Sequence, residues 1–389
     1  MYRKFTSDQI FSGEDFLPPH TVLIANAEGE ILDMVDAADA GEDIERFEGI
    51  LSPGFINCHC HLELAHLKGI IPRQTGMIDF LLGVMGQRQM EIAVIFEAIE
   101  KAEDEMISEG IVAVGDICNT AHTIAQKRKG RLLYHNFIET AGFSPSIADS
   151  RFQQSSDLYN LFAADLPRQS IVPHAPYSVS LELLNKINQH KVDGIITMHN
   201  QESLAENDFY LNKQGDFLRL YESLNIPIDF FSPTHQSSLQ SFLPFFRKMQ
   251  SMILVHNVFS SEEDIAIANA FFDQQQSALY YCLCPIANLY ISNTLPPLSL
   301  LMKQSSNIVL GTDSLASNTQ LSMIKEIQAL QNAFPFLQLK ELLQWATFNG
   351  AKALGMEDTL GSFKKGKTPG VILIKGNTVT TILKAKGTR

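Results

Sequence analysis

Short apolar runs rich in β-branched and aromatic residues recur along the middle of the chain, at residues 54–58, 111–117, 132–138, 170–173, 194–198, 252–255, 278–283 and 307–310. Each is of strand length. Between them, residues 79–109, 181–190, 209–224 and 262–272 repeat apolar positions at spacings of three and four, the period of a helix. Strand alternating with helix predicts a parallel sheet. Eight such units suit an α/β fold of the (β/α)8 TIM-barrel kind, which usually takes about 250 residues. An open, doubly wound sheet is the competing layout.

The two ends read differently. Residues 21–25 and 30–35 flank the turn Glu28-Gly29, and residues 370–375 and 378–384 flank Gly376-Asn377, so each end carries a hairpin signal. The simplest inference joins both termini in one small composite β-sandwich beside the barrel. Residues 1–51 then form its N-terminal part, 52–356 the barrel and 357–389 its C-terminal part. The polar stretch 36–48 is expected to be a surface loop.

Composition narrows the function. A hydrophobic fraction of 45% and a charged fraction of 19% in 389 residues provide for a sizeable core. A formal net charge of −13 argues against a nucleic-acid or anionic-membrane partner, which would need clustered Lys and Arg. A small molecule is the expected partner, with a homodimer left open as the assembly. No run approaches the roughly 18 apolar residues of a membrane span, and residues 1–10 lack the apolar core of a signal peptide, so the expected location is the cytoplasm. Five sparse cysteines fit reduced thiols better than a disulfide framework. Cys58 and Cys60 alternate with His59 and His61 and should face the opposite side of the strand as buried packing residues. Cys282 and Cys284 lack the second pair of a zinc ribbon, and the same reading applies to them.

In a barrel of this kind the reacting groups sit at the carboxyl ends of strands. The runs end in His59 and His61, Asp116, Glu139, His174, His199, His256 and Asp313. Imidazoles at i and i+2 on a strand share a face and can bind one cation. His199 would add a third nitrogen and Asp313 a carboxylate oxygen. That set suits one divalent cation, zinc before iron(II), with a position open for water. The fourth run ends in Val172-Pro173-His174-Ala175-Pro176, so no lysine stands there to bridge a second metal as a carbamate. Glu202, three residues after His199, is close enough to act as general acid and base; the competing role is a carboxylate capping the next helix. His256 is placed to hydrogen-bond the hydroxide or the developing tetrahedral centre, and in Ser260-Ser261-Glu262-Glu263-Asp264 behind it a Ser with a carboxylate three residues later is a capping box.

The stretch Pro53-Gly54-Phe55-Ile56-Asn57-Cys58-His59-Cys60-His61-Leu62-Glu63-Leu64 resembles the first barrel strand of the cytosine deaminase and chlorohydrolase branch of the amidohydrolase superfamily. The likeness continues through His174-Ala175-Pro176-Tyr177, His199-Asn200-Gln201-Glu202, Val255-His256-Asn257, Cys284-Pro285-Ile286-Ala287-Asn288 and Gly311-Thr312-Asp313-Ser314. It reaches Leu360-Gly361-Ser362-Phe363-Lys364-Lys365-Gly366, so it spans nearly the whole chain. The resemblance implies a distorted barrel with a β-sandwich from both termini, and a mononuclear metal on His59, His61, His199 and Asp313. It also implies a proton shuttle at Glu202, a water-orienting His256 and a proton relay through Asp313. Within the branch, His59 to Leu64 followed by Leu67-Lys68-Gly69-Ile70-Ile71-Pro72 is most similar to aminodeoxyfutalosine-deaminase-like and chlorohydrolase-like members. Glu63 departs from the amide residue usual in guanine deaminases. Lys367-Thr368-Pro369-Gly370 stands where an Ala-Asp pair is usual.

The expected reaction is therefore hydrolytic deamination of an aminated heterocycle, purine- or nucleoside-like, with aminodeoxyfutalosine among the substrates to test. Hydroxide formed at the cation attacks the amino-bearing carbon, Glu202 moves the proton, and ammonia leaves. His174, Asn288 and Glu63 are the expected substrate contacts; His235, on the polar loop 232–236, ranks below them. The rivals are opening of a cyclic amide or dechlorination on the same scaffold, and an interaction module without catalysis.

Overall fold

The computed structural model describes residues 2–190, 194–247, 251–305 and 307–388. Four strands open the chain: β1 (Tyr2–Ile10), β2 (Thr21–Asn26), β3 (Ile31–Asp36) and β4 (Ile44–Pro53). Eight follow through the middle: β5 (Phe55–Cys60), β6 (Ile111–Cys118), β7 (Leu133–Thr140), β8 (Gln169–Pro173), β9 (Ile195–Asn200), β10 (Ser251–His256), β11 (Ala278–Leu283) and β12 (Ile308–Leu310). Two close it: β13 (Val371–Lys375) and β14 (Thr378–Leu383).

All eight apolar runs become the middle strands, and almost every residue in them is buried, as expected where helices cover a parallel sheet from outside. Their ladders form two four-stranded parallel sheets, β5-β6-β7-β8 and β9-β10-β11-β12. Backbone hydrogen bonds bridge the two seams. At one seam His199 N donates to His174 O at 2.9 Å; at the other, Thr312 N and Asp313 N both donate to His59 O at 3.0 Å. Close approach there demands glycine at 311, where a Cβ would meet His59 Cβ at 2.8 Å and His59 O at 2.9 Å. These bonds join the two sheets at both ends, which sets the open-sheet alternative aside.

The periodic stretches are helical but shorter than their pattern. Residues 79–109 divide into Met77–Gln87 and Ile92–Ser108, and residues 209–224 into Leu204–Asn212 and Phe217–Ser223, the second break falling at Gly215 with φ +88°. Ser261 and Asp264 form both bonds of the expected capping box at the start of helix Glu262–Gln275.

Strands from both termini share one six-stranded sheet, ordered β14-β13-β4-β1-β2-β3. It has its own small core, which includes Phe5, Leu23, Ile31, Leu51, Phe363 and Val371. The two hairpins match β2–β3 and β13–β14. The expected loop at 36–48 is only partly a loop, because β4 begins at Ile44. The polar first half of β4, from Ile44 to Phe47, pairs in parallel with β1, whereas β13 pairs antiparallel with the apolar end, Ile50 to Pro53. Glu45, in that strand, also receives both arms of Arg3 at 2.8 and 2.7 Å.

Candidate metal centre and active-site cavity

Period-2 geometry on β5 sends His59 and His61 to one side and Cys58 and Cys60 to the other, where both thiols are fully buried. All five cysteines are free. His59 Nε2 and His61 Nε2 stand 3.1 Å apart, and His61 Nε2 is 3.2 Å from His199 Nε2 at the end of β9. Asp313, just beyond β12, brings Oδ1 to 3.5 Å from His59 Nε2 and 3.3 Å from His61 Nε2. His256, at the end of β10, belongs to the same gathering: one ligand atom each of His59, His199, His256 and Asp313 lies within 4.8 Å of the others.

This donor set fits a cation. Burial pushes the His59 and His199 imidazoles down to about 3, with His174 adding to the effect, and burial also lowers His61. Neutral imidazoles turn lone pairs toward each other and toward a carboxylate, an arrangement that repels unless positive charge sits among them. Donors at zinc–nitrogen distances of about 2.0–2.1 Å around a tetrahedron stand about 3.3 Å from one another. The separations of 3.1–3.5 Å match that edge.

Local structure holds each donor in place. Asp313 takes φ +56° and His256 φ +74°, left-handed conformations unusual for residues with a side chain. The paired donation of Thr312 N and Asp313 N to His59 O secures the first. The second is followed by Asn257, whose Nδ2 donates to Leu254 O at 2.8 Å and whose Oδ1 accepts from Asn200 Nδ2 at 3.0 Å. Ser317 Oγ donates to Asp313 Oδ2 at 2.5 Å, leaving Oδ1 for the cluster. His199 Nδ1 faces His174 O at 3.0 Å and Glu139 Oε1 at 3.4 Å, so Nε2 is the nitrogen directed inward.

A cavity of about 920 Å3 opens above this cluster. His61, His174, His199, Glu202, His256 and Asp313 contribute to its lining, whereas Met77, Phe80, Val84, Phe143, Leu220 and Ile226 give it apolar walls. Glu202 Oε1 lies 3.5 Å from His256 Nε2. Burial, with Asp313 and Glu206 nearby, raises the Glu202 carboxyl well above the ordinary carboxylate range, which favours its holding a proton. His174 Nδ1 bonds Ser178 Oγ at 2.6 Å, and burial lowers the ring to about 4.

Two expected substrate contacts lie behind the wall instead. Glu63 is buried, its Oε1 on Arg88 Nη2 at 3.0 Å and its Oε2 accepting from Asn119 N, Thr120 N and Thr120 Oγ1 at 2.8–3.0 Å. It turns away because the strand period that points His59 and His61 inward ends at β5, and the 3-10 turn Leu62–Leu67 follows. The groups it holds, Arg88, Asn119 and Thr120, are the ones on the cavity wall. Asn288 sits on helix Pro285–Ile291 and reaches only His256, its Nδ2 being 2.9 Å from Nδ1. His235 is exposed, its Nδ1 2.9 Å from Leu211 O, and lies outside the cavity.

Asp116 and Glu139, which end strands without an assigned role, differ in fate. Asp116 is fully buried against Lys127, whose Nζ is 2.5 Å from Oδ2, and its Oδ1 accepts from Leu62 N at 2.8 Å. Glu139 lines the cavity and accepts from Asn119 Nδ2 at 3.1 Å. Arg88 and Arg151 were missed as wall residues. Arg88 hid within what reads as one continuous helix, and it caps the C-terminus of Met77–Gln87.

Residues 50–387 match the description "Amidohydrolase family". The chain belongs to the amidohydrolase family. Its members are metal-dependent hydrolases, and the His and Asp cluster is a metal site in keeping with that. Among relatives of this amidohydrolase, the 5-methylthioadenosine/S-adenosylhomocysteine deaminase of Desulforamulus reducens is 27% identical over 383 residues, covering 93% of this chain and 79% of that protein. The aminodeoxyfutalosine deaminase of Nitratiruptor sp. is 27% identical over 340 residues, covering 84% and 78%. The fold is shared with the crystal structure of Helicobacter pylori aminofutalosine deaminase in complex with methylthio-coformycin. The TM-score there is 0.80 at 22% identity, covering 100% of this chain and 99% of that one. No helix among the described residues is long and apolar enough to cross a membrane.

Proposed function

We propose that this amidohydrolase is a hydrolytic deaminase of an aminopurine nucleoside or a related adenosine derivative. The observation that carries the reading is Glu202 beside His256, 3.5 Å apart, on the floor of a deep cavity and next to three imidazoles and a carboxylate. His59, His61, His199 and Asp313 would hold one zinc ion, their nitrogen-rich set favouring zinc over harder cations. Such an ion supplies Lewis acidity that makes water a nucleophile near neutral pH.

The protein's own groups do the rest. Glu202 accepts a proton from water as its oxygen bonds the amino-bearing carbon, and delivers that proton to the adjacent ring nitrogen. His256 holds the oxygen through Nε2. A further proton reaches the amino group, the C–N bond breaks, a C=O bond remains and ammonia leaves. Asp313, near enough to Glu202 to raise its carboxyl, would relay that proton.

Cavity size supports a substrate larger than a bare base. A volume of about 920 Å3 lies near the top of the range of about 300–1,000 Å3 for sites that enclose a drug-sized ligand. The names of the two relatives support the same class, one being a deaminase of 5-methylthioadenosine and S-adenosylhomocysteine and the other of aminodeoxyfutalosine. Five unpaired cysteines support residence in the cytoplasm.

The test pairs metal analysis with ammonia release from 5-methylthioadenosine, S-adenosylhomocysteine, aminodeoxyfutalosine, adenosine, guanine, cytosine and an aminotriazine. The expected result is one zinc per chain and release from at least one adenosine derivative. Zinc-loaded protein that liberates no ammonia from any of them, yet opens a cyclic amide or removes chloride from a triazine, would overturn the proposal.

A further inference from the structure

A neutral imidazole carries one proton, so the partner of one ring nitrogen decides what the other can do. His256 has such a partner on each side. Its Nε2 faces Glu202 Oε1 at 3.5 Å, and its Nδ1 lies 2.9 Å from Asn288 Nδ2. Asn288 is 1% exposed, is absent from the cavity lining, and its Oδ1 is buried without a partner. Among the described residues its side chain has one polar contact, with the histidine.

An amide NH2 only donates, so it bonds Nδ1 only when that nitrogen offers a lone pair, and the ring proton is then on Nε2. The opposite amide orientation would set Oδ1 against Nδ1–H and turn the Nε2 lone pair toward a carboxylate oxygen. Electrostatics on the cavity side thus favour the orientation found. The backbone fixes where the ring sits, through φ +74° at His256 and the two side-chain bonds of Asn257, but it leaves the tautomer free.

We propose that Asn288 is a positioning residue that sets the Nε2–H tautomer of His256, so that a proton donor points to where Glu202 and the attacking water meet. The inference rests on the hydrolytic reading given above for what that donor does: Nε2–H can hold the lone pair of the incoming oxygen, while a bare Nε2 would repel it. Sequence places Asn288 at the end of Cys284-Pro285-Ile286-Ala287-Asn288, where Pro285 starts the short helix and Asn288 falls one turn later, under β10.

The experiment is long-range 1H–15N correlation on zinc-loaded full-length protein with 15N-labelled histidine, the His256 ring being identified by its loss in His256→Gln. The expected pattern is a protonated Nε2 and a bare Nδ1. Asn288→Asp puts an acceptor where the donor was and should bring a proton onto Nδ1. With whichever heterocycle is turned over, kcat should fall about 10–100-fold and KM should change little, the size usual for groups that orient a metal-site residue. A proton on Nδ1 in the unaltered protein overturns the inference. So does an Asn288→Asp variant with the original ring pattern and kcat within about twofold of the unaltered protein. Because the ring pattern is read without turnover, absence of ammonia release together with Nε2–H would sink the deaminase reading and leave the role of Asn288 in place.

Discussion

Lys127→Met should lower stability by about 3–5 kcal/mol, the usual cost of removing one member of a buried ion pair. Lys127 Nζ bonds Asp116 Oδ2 at 2.5 Å and Asn136 Oδ1 at 2.7 Å, and both charged side chains are 0% exposed. Methionine keeps most of the stem and loses the ammonium, which stands 4.8 Å from the Tyr134 ring centroid and 5.2 Å from that of Phe162. What changes is charge: the Asp116 carboxylate stays buried with only Leu62 N and the Cys118 thiol near it. At about 2.1 cal/mol/K per residue, the unfolding entropy of 389 residues is about 0.8 kcal/mol/K, so Tm should drop by about 4–6 °C. Scanning calorimetry at fixed protein and zinc concentration reads the shift. The control is Asp116→Asn combined with Lys127→Met, which removes both charges and keeps an acceptor for Leu62 N; it should be more stable than Lys127→Met alone. A single variant that costs under about 1 kcal/mol, or a double variant less stable than the single, refutes the reasoning. Because Leu62 follows His61 directly, the single variant should also bind zinc more weakly.

Glu202→Gln should retain its metal and lose about 10^2–10^4-fold in kcat, read by ammonia release beside metal analysis; full activity would remove Glu202 as proton shuttle. Asp313→Asn and His61→Ala should each lose stoichiometric zinc, and chelation of the unaltered protein should lower Tm until zinc is restored; a metal content unchanged in both variants counts against the ligand set. Gly311→Ala should cost about 1–3 kcal/mol, because its Cβ would meet His59 Cβ at 2.8 Å and His59 O at 2.9 Å; an unaltered Tm would show that the seam can give. Glu206 is lifted by burial to about 7, against the pull of Ser238 and the Gln201 and Glu202 amides. Its folded pKa lies above the ordinary 4.5, so its contribution is full below about pH 4.5 and is lost as pH rises through about 7. Glu206→Gln should flatten that part of the stability profile between pH 5 and 8, and an unchanged slope would assign it to other groups.

The barrel was legible because each of its eight strands is buried on both faces and so leaves an uninterrupted apolar run in the sequence. Edges of the pattern were less legible where tertiary contacts overrode local signals. The stretch from Glu42 to Glu48 reads as polar, yet from Ile44 it is strand, because β1 pairs with it in parallel and its continuation, Ile50 to Pro53, pairs with β13. Arg3 meeting Glu45 is a contact between residues 42 apart, which no local window can see. The helix break at Arg88 to Glu91 was likewise hidden, since apolar spacing persists through it.

The cluster was readable for a different reason. His59, His61, His199, His256 and Asp313 all stand at the carboxyl ends of strands, so one rule of barrel geometry brings them together without knowledge of side-chain packing. Residues beyond a strand end obey no such rule: Glu63 and Asn288, expected at the substrate, stand outside the cavity lining, each a polar residue one turn past a strand where the chain has left the strand's period. The seams add a constraint that only coordinates reveal. Backbone acceptors that join the two half-barrels are His59 O and His174 O, and their donors are His199, Thr312 and Asp313. Three of the four donors proposed for the cation therefore also hold the sheets together, so a cation drawing those side chains to one point pulls on both seams at once. Metal binding and barrel closure should accordingly be thermodynamically linked, with zinc stabilising the fold and strain at Gly311 weakening zinc.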